Sequence, residues 1–482
     1  MTLKKLRLGI MAVVSIMPMA SFAEIPEQLR DAARKAVVSN PEVQAKWNAF
    51  LASDAAQDVA RGGYYPQVQL SGGVGRERTR APGGVTDRFS TRGAEVSLSQ
   101  MLYDGFYTSS EVERFAYQRL SSYYALLEAS EGAASEAIRA YADVLRYGRL
   151  VDLAKQNYVE HKVVHDQIAD RTAAGVGRRV DLEQASGRLA LAESNLLTEV
   201  TNLHDVSARY QRIVGELPAG KLADLPDSMA GEFMPKSAAE LLREGFNASP
   251  TLNVAVESVR AGQAQLSAWR SAHHPRLDLR ARQSLNQNLD GASGNTRESV
   301  VELVLTYNLF SGGSDQARIR QAADELNVAK DLREKACRDV RQNLTIAFNE
   351  TARLGEQLGY LDQHQLSIEK AREAYRRQFD IGQRTLLDLL DAENEYFQAR
   401  RAYVNAVYDK AIAETRTLSG MGRLMKALGV ARDDVPKLDE LERSREQIDV
   451  ADLCPADAPA FLEIDKEALF AEALRDAGAS RP

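Results

Sequence analysis

The sequence predicts a mainly α-helical chain with a transmembrane β component, laid out as an internal two-fold repeat. Three observations predict it. Punctuating residues recur at a constant interval, each copy holds one alternating hairpin, and each hairpin runs into an unbroken helical stretch. Asn40-Pro41 and Tyr65-Pro66 return as Ser249-Pro250 and His274-Pro275, both 209 residues on. After a two-residue shortening, Leu102-Tyr103-Asp104-Gly105, Gly175, Asp181, Ala185 and Gly215 return as Leu309-Phe310-Ser311-Gly312, Gly382, Asp388, Ala392 and Gly422, 207 residues on. Register kept over such a length means two copies of one supersecondary unit that stack or pair.

Composition narrows the class. With 482 residues, 44% of them hydrophobic and 27% charged, and a mean hydropathy of −0.36, the chain is polar over most of its length and is not a helical membrane protein. Its one long apolar stretch, Leu8 to Phe22, follows Lys4, Lys5 and Arg7 and closes with Ser21-Phe22-Ala23, the layout of a secretory signal removed before Glu24. No cysteine stands at that expected start, so no lipid anchor is offered there. Cys337 and Cys454 could bridge in an oxidising compartment, but Cys337 falls mid-helix and the pair is expected to stay unbonded. From Asp433 to Pro482, fourteen acids face six bases, and the remaining body is near neutral. Such a tail, punctuated by Pro436, Pro455 and Pro459, speaks against nucleic-acid binding and is expected to be solvated and partly disordered.

Within each copy a short helical stretch is followed by an X-Pro break and then by alternation. Val68, Leu70 and Val74 oppose Gln67, Gln69 and Ser71, and after the turn at Ala81-Pro82-Gly83-Gly84 the returning strand sets Ala94, Val96 and Leu98 against Glu95, Ser97 and Ser99. In the second copy Leu277, Leu279 and Ala281 alternate with Asp278, Arg280 and Arg282. There Val301, Leu303 and Leu305 return after the turn at 290–294. Strands of this kind fit either a soluble sandwich or a transmembrane barrel with a wet lumen. Aromatics at their bases, Tyr64, Tyr65, Tyr103, Tyr107, Tyr307 and Phe310 with Phe106, are placed as an interfacial girdle requires.

From Gly105 to Arg171, and again from Gly312 to Ile381, no proline occurs and the composition is rich in Ala, Leu, Glu, Arg and Gln. Each stretch predicts a helix of roughly 100 Å. The chain turns at Ala174-Gly175-Val176-Gly177 and at Ile381-Gly382-Gln383. Return helices then carry Leu182, Leu189, Leu196, Leu203 and Tyr210, or Leu390, Phe397, Val404 and Ala411, every seven residues, the period of antiparallel coiled-coil packing. Four strands in lipid would leave both sheet edges unpaired, at several kcal/mol for each open group, so the sheet must close with other copies. Two copies give eight strands and a filled interior; three give twelve and leave an aqueous lumen.

With these features the chain resembles the TolC-like outer-membrane channel-tunnel family over about Asn40 to Gly429. The likeness rests on the duplication, on the Leu102-Tyr103-Asp104-Gly105 and Leu309-Phe310-Ser311-Gly312 corners, and above all on the segment Gly382 to Ala392. It implies a homotrimer: a trimeric twelve-stranded β-barrel with four strands per chain, in the cell outer membrane of a Gram-negative bacterium, continued into the periplasm by a coiled-coil α-barrel. The resemblance also implies a ring of carboxylates at the periplasmic gate, on Asp388 and Asp391, and a latch from Arg384 to the neighbouring coil with Asp181 as its partner. Phe379 and Val180 stand where that latch has a tyrosine and a threonine, so two hydroxyl bonds are missing.

Other patterns carry no chemistry. His161 and His165 share a helix face but lack a third ligand and read as solvated; His273 and His274 read as caps. Pro218-Ala219-Gly220-Lys221 is not a phosphate loop, because Leu222 stands where a hydroxyl residue should be. Neither HExxH nor GxSxG occurs, so a non-enzymatic protein with no metal or cofactor is expected. The partners implied by the resemblance are a periplasmic adaptor and either an ABC transporter exporting a protein, as in type I secretion, or a proton-driven resistance-type pump exporting small molecules. The missing anchor cysteine leans toward the first. A soluble periplasmic scaffold is the alternative from another class. The expected divisions are a signal peptide (1–23), repeat 1 (24–215), an equatorial connector (216–247), repeat 2 (248–429) and an acidic tail (430–482).

Overall fold

A computed structural model describes residues 25–80, 83, 86–432, 434–441, 449–460, 462 and 464–479. The expected signal peptide, and all of the first hairpin turn except Gly83, lie outside them. In chain order the elements are α1 (Glu27–Ser39), α2 (Pro41–Arg61), β1 (Gln67–Arg80), β2 (Thr86–Tyr103), α3 (Tyr107–Ala173) and α4 (Arg179–Val214). The second copy runs α5 (Ala238–Ala248), α6 (Pro250–Arg270), β3 (Arg276–Gln287), β4 (Asn295–Thr306), α7 (Ser314–Asp380) and α8 (Leu386–Gly420). Short helices α9 (Leu424–Leu428), α10 (Leu438–Leu441) and α11 (Lys466–Ala479) follow. The repeat is exact in length where it matters: α2 and α6 are both 21 residues, α3 and α7 both 67. Helix α5, the counterpart of α1, begins inside the stretch read as connector, with Ser237 accepting from the Glu240 amide as its N-cap.

The two hairpins join through β2 and β3 into one antiparallel sheet of order β1-β2-β3-β4. Register carries the alternation across all four strands: Val68 faces Leu98, Leu98 faces Ala281, and Ala281 faces Val301. One face is therefore apolar and the other polar. Neither face is covered within the chain. Val68, Leu70, Val74, Val301, Leu303 and Leu305 are all strongly exposed, and β1 and β4 present open edges.

Glycine makes the corner between sheet and rod. Gly105 holds φ +67, and a Cβ there would lie 2.5 Å from the His274 Cβ, so no side chain fits. Asp104 caps α3 by accepting from the Thr108 amide (2.9 Å) and hydroxyl (2.5 Å). His274 closes the short helical turn Ser271–His273 as its C-cap, its amide donating to the Ser271 carbonyl at 2.8 Å, and its ring sits edge-on to Tyr103, with Nδ1 3.3 Å from the phenol oxygen.

The rods pair as expected, α3 with α4 and α7 with α8, and α3 also packs along α8. Beyond the leucine rows, a second seven-residue row is buried on each return helix: Ala185, Ala192, Glu199, Val206 and Ile213 on α4, and Ala392, Ala399, Ala406 and Ala413 on α8. Small residues every seven let the helix axes approach closely. Midway along, the chain builds a true core, an equatorial belt around the rods in which Tyr141, Ile138, Leu29, Met229, Leu418 and Leu424 are buried.

Two expectations fail at the C-terminus. Cys337 and Cys454 form a disulfide with a Cα–Cα distance of 5.5 Å, because Cys337 lies on the face of α7 that the returning tail crosses. The tail is not simply solvated: Val450 and Cys454 are buried against α5, α6 and α7, and α10 packs by Trp47 and Phe50. Arg341 donates to the Pro455 carbonyl at 3.1 Å, so the segment follows α7 downward. Its acidic side chains stay wet while its few apolar ones fill a gap in the belt, a choice that net charge does not reveal.

Candidate functional site

The ends of the rods far from the sheet hold the predicted gate residues. Gly175 (φ +77) and Gly382 (φ +74) turn the chain at equivalent places in the two copies. After the second turn Thr385 caps α8 in a reciprocal box: its hydroxyl accepts from the Asp388 amide, and Asp388 Oδ2 accepts from the Thr385 amide at 3.1 Å and hydroxyl at 2.8 Å. Asp388 is thus a helix cap and still a third exposed, while Arg384 stands 3.9 Å from its other oxygen. The Thr385 hydroxyl and amide, then Arg384, hold the Asp388 carboxyl below its ordinary range. It is anionic at neutral pH.

Beneath this turn lies a small apolar plug of Phe379, Leu386, Leu389 and Leu390 from the α7–α8 hairpin against Val164, Ile168 and Ala185. Phe379 is buried in it, beneath the Arg171 guanidinium at 5.6 Å. A tyrosine hydroxyl at this position would have to be satisfied inside the plug. The residue instead contributes packing.

The four expected site residues are not all brought together. Asp391 is bound by Arg188 of α4 at 2.5 Å, a pair between the two coils of one chain. Arg384 stacks over Tyr375 (4.5 Å) and donates to Gln378 (3.0 Å). Among the described residues it forms no ion pair with Asp181.

What the sequence reading missed is a ladder of arginines across the seam between the coils. Above Arg188–Asp391 come Arg376–Glu160, then Arg401–Glu199 at 2.6 Å, and Arg146–Asp409 at 2.7 Å. Glu199 was a signal in plain sight: an acid inside a buried seven-residue row demands a partner. Glu393, buried beside Arg372 at 3.3 Å, has its carboxyl pushed up by burial against the pull of Arg372 and Arg376. His161 is not solvated as expected but buried at 4% exposure, because α4 and α8 close over that face of α3. Burial, and then the Arg188 charge, hold its imidazole below the usual histidine range. Among the described residues no three His, Cys, Asp or Glu side chains gather as a metal site.

An amphipathic sheet with open edges, continued by paired rods whose far ends carry exposed carboxylates, is the geometry of a channel subunit. The sequence matches the outer membrane efflux protein family over residues 32–216 and again over 241–423, one match for each copy of the repeat. The chain belongs to this family. It is 24% identical over 403 residues to the outer membrane efflux protein BepC of Brucella suis biovar 1, covering 83% of this chain and 87% of BepC. It is 25% identical over 282 residues to the proteases secretion protein PrtF of Dickeya chrysanthemi, covering 57% and 59% of the two chains. Its fold superposes on a membrane protein from Pseudomonas aeruginosa with a TM-score of 0.74 at 19% identity, over 83% of this chain and 91% of that one. As an outer membrane efflux protein, the chain places its sheet in the outer membrane of a Gram-negative cell and extends its helices into the periplasm. The resemblance drawn from the Gly382–Ala392 segment and the duplication is therefore correct.

Proposed function

We propose that three copies close their sheets into one twelve-stranded barrel, that their α3, α4, α7 and α8 helices form a twelve-helix periplasmic tunnel, and that this duct is the exit of a tripartite export system. The observation that carries the reading is a four-stranded sheet with an uncovered apolar face and two open edges, which lipid tolerates only when the strands close. An inner-membrane pump with a periplasmic adaptor would supply the energy. The protein itself is passive.

The gate reading follows from the same assembly. Three copies would set Asp388 and Asp391 around the narrow periplasmic end, a ring that attracts cations and repels anions. The closed state would be held by Arg188–Asp391 within each chain and by Arg384 reaching Asp181 across the join between neighbouring coils. Docking of the adaptor on the tips would shift the population toward an open arrangement.

Protein export through an ABC transporter is the finer reading, supported by the likeness to a protein named for protease secretion. The likeness to BepC, named an efflux protein, favours the second reading, small-molecule export. Deleting the gene and measuring both the secreted proteins and the drug susceptibility of the cells separates them. Type I secretion predicts loss of one or a few secreted proteins with drug susceptibility unchanged, and the reverse pattern would replace it with the efflux reading.

A further inference from the structure

The two faces of the sheet differ in charge: the strand acids all lie on the polar face, where Arg276 and Arg280 pair with Asp278 and Arg282 with Glu298, and the other strand arginines lie on the apolar face at one height. In β1, Val68, Leu70 and Val74 share a face with Arg76, Arg78 and Arg80, because alternate residues point the same way. Pairing adds Arg88, directly opposite Arg78, and Arg92, directly opposite Val74, to that face. Followed through β3 and β4, the same face takes Leu285 and, opposite it, Arg297. The six acids of the strands, Glu77, Asp87, Glu95, Asp278, Glu298 and Glu302, all fall on the opposite face. The apolar face thus ends in six arginines and carries no carboxylate.

Height fixes where they stand. Arg76 is 11 residues from Tyr65, Arg92 is 11 from Tyr103, and Arg297 is 10 from Tyr307. A tilted strand crosses the hydrocarbon in about 9 to 11 residues. With the aromatic residues at the helix end, on the periplasmic side, the arginines lie at the headgroups of the outer leaflet. The β1–β2 hairpin also runs beyond the last β2–β3 pair at Arg92 and Gln287, so Arg76, Arg78, Arg80 and Arg88 project past the rest of the sheet. Arg78 against Arg88 is a like-charge pair that opposes strand pairing unless an anion lies between them. Among the described residues none of the six arginines has an ion-pair partner.

We propose that this arginine face is a docking surface for the phosphates of lipopolysaccharide in the outer leaflet. Guanidinium forks match phosphate oxygens two at a time, and the apolar rows beneath them receive the acyl chains of the same molecule. The proposal rests on reading the apolar face as lipid-facing.

The test titrates the full-length channel in detergent with lipopolysaccharide and with the same lipopolysaccharide freed of its lipid A phosphates, with inorganic phosphate as competitor. Wild type is compared with R76Q/R78Q/R88Q and, in case the triple variant assembles poorly, with R78Q alone. Wild type is expected to favour the phosphorylated form by on the order of tenfold or more, with that preference lost in the triple variant and weakened severalfold in R78Q. Millimolar inorganic phosphate should not displace the lipid. Equal binding of the two forms, an unchanged preference in the variants, or displacement by inorganic phosphate overturns the proposal, the last by assigning the site to free anions. Insertion into planar bilayers, measured alongside, keeps two failures apart. A channel that inserts but ignores the phosphates sinks only this proposal, whereas one that does not insert sinks the lipid-facing reading beneath it.

Discussion

Around Tyr141 the chain buries Ile138, Leu29, Leu418 and Leu424 almost completely against its own helices, whereas in the sheet Val68, Val74 and Val301 are 68%, 87% and 76% exposed. The belt is complete within one chain. The sheet satisfies neither its apolar face nor its edge amides. The difference teaches that the two regions fold against different solvents: the belt excludes water by itself, and the sheet waits for lipid on one face and for sister strands at its edges. Substitutions should therefore act on assembly in the sheet and on chain stability in the belt.

The largest effect is expected from Leu303→Arg on the apolar face. A guanidinium at mid-membrane costs about 2–4 kcal/mol in a barrel strand, repeated in every copy, so the oligomer proposed above should be lost from native gels run in mild detergent. Val304→Arg, one residue away on the polar face, should leave it intact. Equal loss in both variants would break the comparison between faces.

Next comes the strap on the belt. Cys337→Ser with Cys454→Ser removes a bond spanning 117 residues and should lower chain stability by about 2–4 kcal/mol. The lower midpoint should appear in thermal unfolding, with the channel current unchanged.

A pH effect is expected in the same belt. Glu131 is buried beneath the start of α9, and burial pushes its carboxyl up to about 8 although the Leu424 and Met425 amides favour the charged form. A carboxyl raised in the folded state contributes stability that is full below its ordinary value of 4.5 and is lost as pH climbs toward about 8. Thermal midpoints should fall across that window in wild type and stay flatter in Glu131→Gln.

The smallest effect lies at the gate, where exposed ion pairs are worth about 0.2–1 kcal/mol. Arg188→Ala should raise single-channel conductance by freeing Asp391, and Arg384→Ala should do so if Arg384 engages the neighbouring coil. A rise with Arg188→Ala alone would leave the latch within the chain.

Much of this was legible because it is periodic. The 207- and 209-residue offsets, the two-residue alternation and the seven-residue leucines each follow from local geometry repeated along the chain, and they located the strands, the rods and the turns at Gly175 and Gly382. The gate role proposed for Asp388 and Asp391 comes only from the resemblance of their segment. What stayed hidden depends on which surfaces meet. Alanines at 392, 399, 406 and 413 look like ordinary helix formers until a neighbouring rod lies against them. His161 and Glu199 are buried by neighbours hundreds of ångströms of extended chain away, and Cys337 pairs with a residue whose path over α7 no local pattern encodes.

The mass of the detergent-solubilised particle, measured together with its current in planar bilayers, tests the central claim most directly. Three chains per particle and stable ion-conducting steps are the expected result. A particle of one chain that needs no detergent, or a bilayer that stays silent after addition, would contradict it.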